Sequence, residues 1–260
     1  MNALCYKIVF SKRLGALVAV GENAKGQGKK AGTCSRPPVS KAAIKNSLDN
    51  LFLSSLKTLV ISIALCIATT ELSQAATTAP ANTALPTGYQ VTHGNVAISS
   101  TNAGSMTIQQ TTDKASINWQ SFNIGKDASV NVHQNGSSSV LLNRIVGQDP
   151  SQIFGKLNAN GQVILINPNG IVFGKGGSVT ASAFTASTFS LSDNDFMSGF
   201  YKYNRQGSTA GITLDAGSSI ATTGSGYVVL LGASVNNNGQ ITTQQGHVVL
   251  ASAEEVTVPS

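Results

Sequence analysis

GQVILINPNGIVFG, residues 161–174, interrupts an apolar run with Asn167-Pro168-Asn169-Gly170 and then resumes it. Asn in the first place, Pro in the second and Gly in the fourth are the residues that a type I β-turn favours. The stretch therefore reads as strand, tight turn, strand. Its flanks, Val163 to Ile166 and Ile171 to Phe173, are apolar at consecutive positions rather than alternating, which predicts strands covered on both faces.

The rest of the chain repeats this kind of unit. Ser116-Ile117, Ser139-Val140 and Gln162-Val163 each open an apolar or alternating run, and the step from Ile117 to Val140 equals the step from Val140 to Val163. Gly226-Tyr-Val-Val-Leu returns, after a slightly shorter step, as Gly246-His-Val-Val-Leu. Repeats of that length with strand patterning predict the rungs of a parallel β-helix, each resting on its neighbours. Asn-Gly recurs at Asn135-Gly136, Asn160-Gly161, Asn169-Gly170 and Asn238-Gly239, at the ends of apolar runs, where it supplies positive φ at low cost. In isolated hairpins the same pairs mark antiparallel strands, so an antiparallel β-sandwich is the alternative fold. DPSQIFG, 149–155, carries helix signals: Asp149 as N-cap, Pro150 at N1, Gln152 at N3 and Gly155 as the stop. It predicts a single helical turn between rungs. In such a coil Asn167-Pro168-Asn169-Gly170 is a corner.

Composition divides the chain in two. Of 260 residues 41% are hydrophobic and only 11% charged, far below the roughly 25% of an average domain, which suits a β-rich surface of Ser, Thr and Asn. The net charge of +6 is misleading: through Ala75 ten Lys and Arg face Glu22, Asp49 and Glu71, and beyond it seven basic side chains face eight acidic ones. The later segment has no basic field for a phosphate backbone, which argues against nucleic acid as a partner. Cys5, Cys34 and Cys66 also precede Ala75. The segment 76–260 must therefore be held by burial and backbone pairing, and it is long enough for one sizeable core.

Residues 59–68, LVISIALCIA, follow Lys57 and precede ELSQAA, the pattern of a secretory signal with Ser73 and Ala75 at −3 and −1. Cleavage is expected between Ala75 and Ala76. The apolar stretch is short of the ~20 residues a spanning helix needs. Ahead of it runs MNALCYKIVFSKRLGALVAVGENAKGQGK, which resembles the extended signal-peptide region of very large Gram-negative secreted proteins. Asn2, Tyr6, Phe10, Arg13, Leu14, Gly15, Val18, Val20, Glu22, Asn23 and Ala24 carry the match. The expected organisation is an extended signal peptide over 1–75, with its extended region about 1–29 and its core signal about 45–75, and a β-helical domain over 76–260.

SINWQSFNIGKDASV (116–130), LLNRIVGQDPSQIFGKLNANGQVILINPNGIVFGKGG (141–177) and GYVVLLGASVNNNGQITTQQGHVVLASAE (226–254) resemble the amino-terminal secretion domain of two-partner secretion exoproteins, the filamentous-haemagglutinin and high-molecular-weight-adhesin superfamily. The resemblance implies a right-handed parallel β-helix, export through the Sec machinery, and a dedicated outer-membrane transporter built as a β-barrel with periplasmic POTRA domains. It implies a secreted or cell-surface adhesin, with a contact-dependent toxin or haemolysin on the same secretion domain as the alternative. Where the haemagglutinin branch carries a second NPNL tetrapeptide, this chain has Arg144-Ile145-Val146-Gly147 after Asn143, which leans towards the adhesin branch.

The residues themselves predict neither catalysis nor a cofactor. Asp113, Asp127, Asp149, Asp193, Asp195 and Asp215 are scattered beside turn residues, unlike the acid cluster of a β-helical polysaccharide lyase. Asp193-Asn194-Asp195 has the oxygens for Ca²⁺ but reads better as a solvated loop. His93, His133 and His247 have no short metal-ligand spacing, and Gly174-Lys175-Gly176-Gly177 reads as a rung turn. No small-molecule substrate is expected. DNDFMSGFYKYNRQG, 193–207, breaks the repeat: Phe196, Phe200, Tyr201 and Tyr203 either cover one flank of the coil or, with Arg205, form a docking patch for the transporter. The resemblance implies that the corner Asn167, Pro168, Asn169, Gly170 and Ile171 is the secretion motif.

Overall fold

The structure, a computed structural model, describes residues 6–11, 16–21 and 78–258. They belong to two units, 1–72 and 73–260. In the first, β1 (Tyr6–Ser11) and β2 (Ala16–Gly21) pair antiparallel, Tyr6 opposite Gly21. Ala75 and Ala76, the expected cleavage site, lie outside the described residues.

The second unit opens with β3 (Gln90–His93), β4 (Val96–Asn102), β5 (Ser105–Gln110) and β6 (Lys114–Trp119). β4 returns antiparallel on β5, and β3 lies antiparallel on β6. From there the chain winds. One circuit is β7 (Ser129–His133), β8 (Val140–Ile145) and β9 (Ser151–Ile153), and the next is β10 (Lys156–Ala159), β11 (Gln162–Ile166) and β12 (Ile171–Phe173). The third takes β13 (Ser178–Ala181) and β14 (Ala183–Ser187), then leaves the coil through β15 (Ser190–Leu191), α1 (Asp193–Ser198) and β16 (Tyr201–Asn204) before β17 (Ile212–Leu214). β18 (Ser219–Thr222), β19 (Val228–Leu231) and β20 (Val235–Asn237) form the fourth, followed by β21 (Gln240–Thr242), β22 (Val248–Ala251) and β23 (Glu255–Val258). Successive circuits stack parallel strands into three sheets: β4-β5-β7-β10-β13-β18-β21, β3-β6-β8-β11-β14-β19-β22 and β9-β12-β17-β20. This is a parallel β-helix, not a sandwich. β15, β16 and β23 make a small antiparallel sheet beside it.

The core is the coil's interior. Ile108, Ile117, Trp119, Leu141, Leu165, Phe173 and Phe184 are all buried there, at roughly 1.5–3 kcal/mol for each large side chain removed from water. The second sheet is also apolar outward: Val140, Leu142, Ile164, Ile166, Val229 and Leu231 pack beneath Phe189, Leu191, Phe196, Tyr201, Tyr203 and Val258. That second layer is why its strands read as continuous apolar runs. The outward face of the first sheet carries Thr107, Asn131, Asn158 and Thr180 in register on successive strands and is open to solvent.

Three sequence expectations are corrected. The even spacing of Ile117, Val140 and Val163 does not mark the register: Lys114 stands opposite Val140, and Val140 opposite Gln162, so the true steps are unequal. Ile117 points inward and pairs with Asn143, whereas Val140 points outward, because a strand apolar on both faces does not reveal which residue of a run faces the core. The step from Gly226 to Gly246 does hold, with Val228 opposite Val248. DPSQIFG forms no helix: Ser151–Ile153 is β9, held parallel to Ile171–Phe173, and ladder pairing overrides the local capping residues. Of the four Asn-Gly pairs, only Gly170 has positive φ, at +116°. At Gly161 the need is space, since a Cβ there would stand 2.5 Å from Gln134 Oε1 on the circuit before.

Candidate functional site

Asn167-Pro168-Asn169-Gly170 is the expected turn, Gly170 N donating to Asn167 O at 3.1 Å. Asn167 is wholly buried. Its Nδ2 donates to Asp149 O and Ser151 Oγ, both at 3.0 Å, and its Oδ1 accepts from Asn169 N at 2.9 Å and Asn169 Nδ2 at 3.1 Å. Asn169 Nδ2 also reaches Gly147 O at 2.9 Å. Towards the following circuit, Asn167 N donates to Ser187 O, Ile171 N to Gly211 O, and Ser208 Oγ to Pro168 O. The corner is thus a polar staple through three circuits, and each amide placed there satisfies groups that burial would otherwise strand.

The excursion 188–207 is a cover over the second sheet. Ser192 Oγ accepts from Asp195 N at the start of α1, and Gly199, at φ 80°, ends it in the left-handed conformation. Two cations of the coil pin the cover down. Lys114 Nζ donates to Phe196 O and Met197 O, each at 3.1 Å, and lies 5.9 and 5.7 Å from the ring centres of Phe196 and Tyr201. Arg144 Nη2 donates to Leu191 O at 2.7 Å, and its Nη1 forms an ion pair with Asp193 Oδ1 at 2.8 Å. β23 closes the cover against β16, with Lys202 paired to Glu255 at 3.0 Å and Arg205 to Glu254 at 2.9 Å.

The expected patch residues divide between the cover's interior and its surface. Phe196, Tyr201 and Tyr203 are buried in the cover's own core, while Phe200 is 54% exposed and Arg205 sits at its rim. A surface patch of four aromatics is therefore not formed, because three of them face the second sheet. Burial raises the hydroxyl pKa of Tyr201 and, more strongly, Tyr203, and pushes Tyr227 up to about 12. Asp193 is engaged by Arg144, and Asp195 accepts from Ser192 Oγ at 2.7 Å. Gly174 to Gly177 closes a rung turn, Gly177 N donating to Gly174 O. Among the described residues no three His, Cys, Asp or Glu side chains converge on one point.

Residues absent from the sequence reading hold the interior corners. Trp119 Nε1 donates to the buried Asn143 Oδ1 at 3.0 Å, and Gln134 Nε2 to the buried Gln110 Oε1 at 3.0 Å, one circuit below. Their only trace in the sequence is an amide inside an otherwise apolar or alternating run.

The described strands of the second unit form a cysteine-free coil, and similarity to known proteins says to which class such a coil belongs. The TPS (two-partner secretion) secretion domain matches residues 81–258, and the Extended Signal Peptide of Type V secretion system matches 1–45. The chain belongs to the two-partner secretion domain family. Two Haemophilus influenzae proteins, each named heme/hemopexin-binding protein, are 39% identical over 121 residues (46% of this chain) and 37% identical over 181 residues (66% of this chain). The chain spans only 13% and 20% of their lengths. The crystal structure of the HMW1 secretion domain from Haemophilus influenzae superposes with a TM-score of 0.63 at 32% identity, covering 66% of this chain and 46% of that one. The protein is a secreted Gram-negative exoprotein that passes through the periplasm, and the matched family is a secretion domain rather than an enzyme family.

Proposed function

We propose that the segment after the signal is captured in the periplasm by the POTRA domains of a cognate outer-membrane β-barrel transporter, crosses unfolded, and coils outside. The observation that carries this reading is the secretion-domain match over 81–258. Supporting it, residues 76–260 contain no cysteine, so an oxidising periplasm cannot cross-link this segment before it threads. Each new circuit buries apolar surface on the one before, which biases movement outward without ATP. The corner Asn167 to Ile171 serves secretion by fixing that coil, and Phe200 and Arg205 are the cover's contacts to the transporter. Co-expression with the transporter should move the product into the medium; equal release without it sinks the proposal.

For the whole exoprotein, the relatives' names favour capture of haem or haemopexin at the cell surface, beside the adhesin role implied by the sequence resemblance. Retention of the secreted exoprotein on haem-agarose without attachment to host cells supports the first, and attachment without retention the second.

A further inference from the structure

Unequal corners carve a cleft into the coil. Between the first and second sheets the chain turns at Ser182 alone on one circuit and through Asn160-Gly161 on the circuit before it. The circuits on either side turn through longer loops, 134–139 and 223–227. The short corners form a floor and the long loops stand as walls, three rung steps apart, or roughly 14 Å. The cleft holds about 540 Å³, within the ~300–1,000 Å³ of ligand sites.

Its chemistry is specific in what it lacks. Among the described residues no Asp, Glu, Lys, Arg or His lines it, so its lining offers no charge to a phosphate, a carboxylate or a cation. It presents the hydroxyls of Ser137, Ser138, Thr223 and Ser225, the amide of Gln162 and the ring of Tyr227. Tyr227 is held in place, its hydroxyl donating to Gln162 Oε1 at 3.2 Å across the floor. Ser182, in the floor, is buried and donates to Ser137 O, tying floor to wall. Strand edges do not open into the cleft, because it crosses the corners of successive paired strands, so an extended peptide has no ladder to join.

We infer that this cleft binds a neutral linear oligosaccharide of about three sugar units. Ser137 and Ser138 on one wall and Thr223 and Ser225 on the other, roughly 14 Å apart, offer hydroxyls to the two ends of a polyhydroxylated chain laid across the floor, and Tyr227, half-buried against the cover, lends the part of its ring that lines the cleft to the C–H face of one sugar. Binding in this cleft does not depend on how the chain is exported.

The test uses the chain as secreted, with cellotriose, maltotriose and triacetylchitotriose as probes and saturation-transfer NMR as the readout. At least one should receive saturation with a Kd in the millimolar range or tighter, about 1 mM. Ser225→Trp, at an exposed wall position, fills the cleft and should weaken that binding at least about tenfold while leaving thermal unfolding unchanged. Tyr227→Phe, which keeps the ring but frees Gln162, should weaken it less. Absence of transfer to all three probes at about 10 mM, or transfer that Ser225→Trp leaves intact, overturns the inference.

Discussion

The first and second sheets share the same interior, yet their outer faces are opposites. One shows Thr107, Asn131, Asn158 and Thr180 to water; the other shows Val140, Leu142, Ile164 and Ile166 to a cover. The difference teaches that the coil itself needs only its inner face to be apolar. The second apolar layer exists to hold the excursion, and the excursion adds a long-range lock to a fold whose parallel ladders run circuit to circuit.

The largest effect should come from charging the covered face. Leu142→Asp places a carboxylate where the side chain is fully buried, so the cover should detach and urea unfolding should show a loss of several kcal/mol. Thr180→Asp, at an exposed position of the bare face, should stay within about 0.5 kcal/mol. Equal losses would erase the distinction between the faces. At the corner, Asn169→Val with Gly170→Val removes the bonds to Gly147 and Asn167 and forces a β-branched residue to φ +116°; thermal unfolding and secretion should both fall, by about 2–4 kcal/mol in the first. Pro168→Ala should be mild.

Arg144→Ala strips the cover of a bond to Leu191 O and the pair with Asp193, at about 1–3 kcal/mol. Faster hydrogen exchange confined to 188–204 is the expected signature, and uniform exchange across the coil would count against a separable cover. Alkali should discriminate in the same way. Tyr227 ionises near 10 when unfolded but at about 12 when folded, so its contribution is intact below pH ~10 and is lost as pH rises from ~10 towards ~12. Tyr227→Phe should blunt that alkaline loss, measured by stability against pH.

With the thiols kept reduced, a small change in stability is expected from Asn131→Cys with Asn158→Cys, neighbours on the bare face whose side chains already meet at 3.0 Å. The folded pair should bridge readily, and a bridge formed in the periplasm should block secretion until reductant is added. Ile117→Cys with Val140→Cys should never bridge, since the two residues face opposite ways.

Local turn chemistry and the repeat were legible in the sequence: Asn167 to Gly170 turns as its residues require, and the step from Val228 to Val248 is real. Register between the earlier strands was hidden, because in Val140-Leu141-Leu142 every residue is apolar and only the cover explains why. Pro150 and Gly155 read as helix ends, but a strand as short as Ser151–Ile153 has too little pattern to announce itself against them. The amides at Asn143, Gln110 and Gln134 acquire their roles only from the circuits stacked around them.

The strand that seals the cover, β23, comes far along the chain from β8, whose outer face it helps to shield. Circuits can accrete quickly through near-neighbour contacts, but this last closure spans most of the domain and is the slow, high-contact-order event. Until the excursion 188–204 folds back, Val140, Leu142, Ile164 and Ile166 form a sticky wet stripe, and until β23 arrives the cover's own outer strand edge at β16 stays open. Time between the emergence of Val140 and that of Tyr203, and then until β23 pairs with β16, rather than stability once closed, is what sets the danger of one exoprotein adhering to the next.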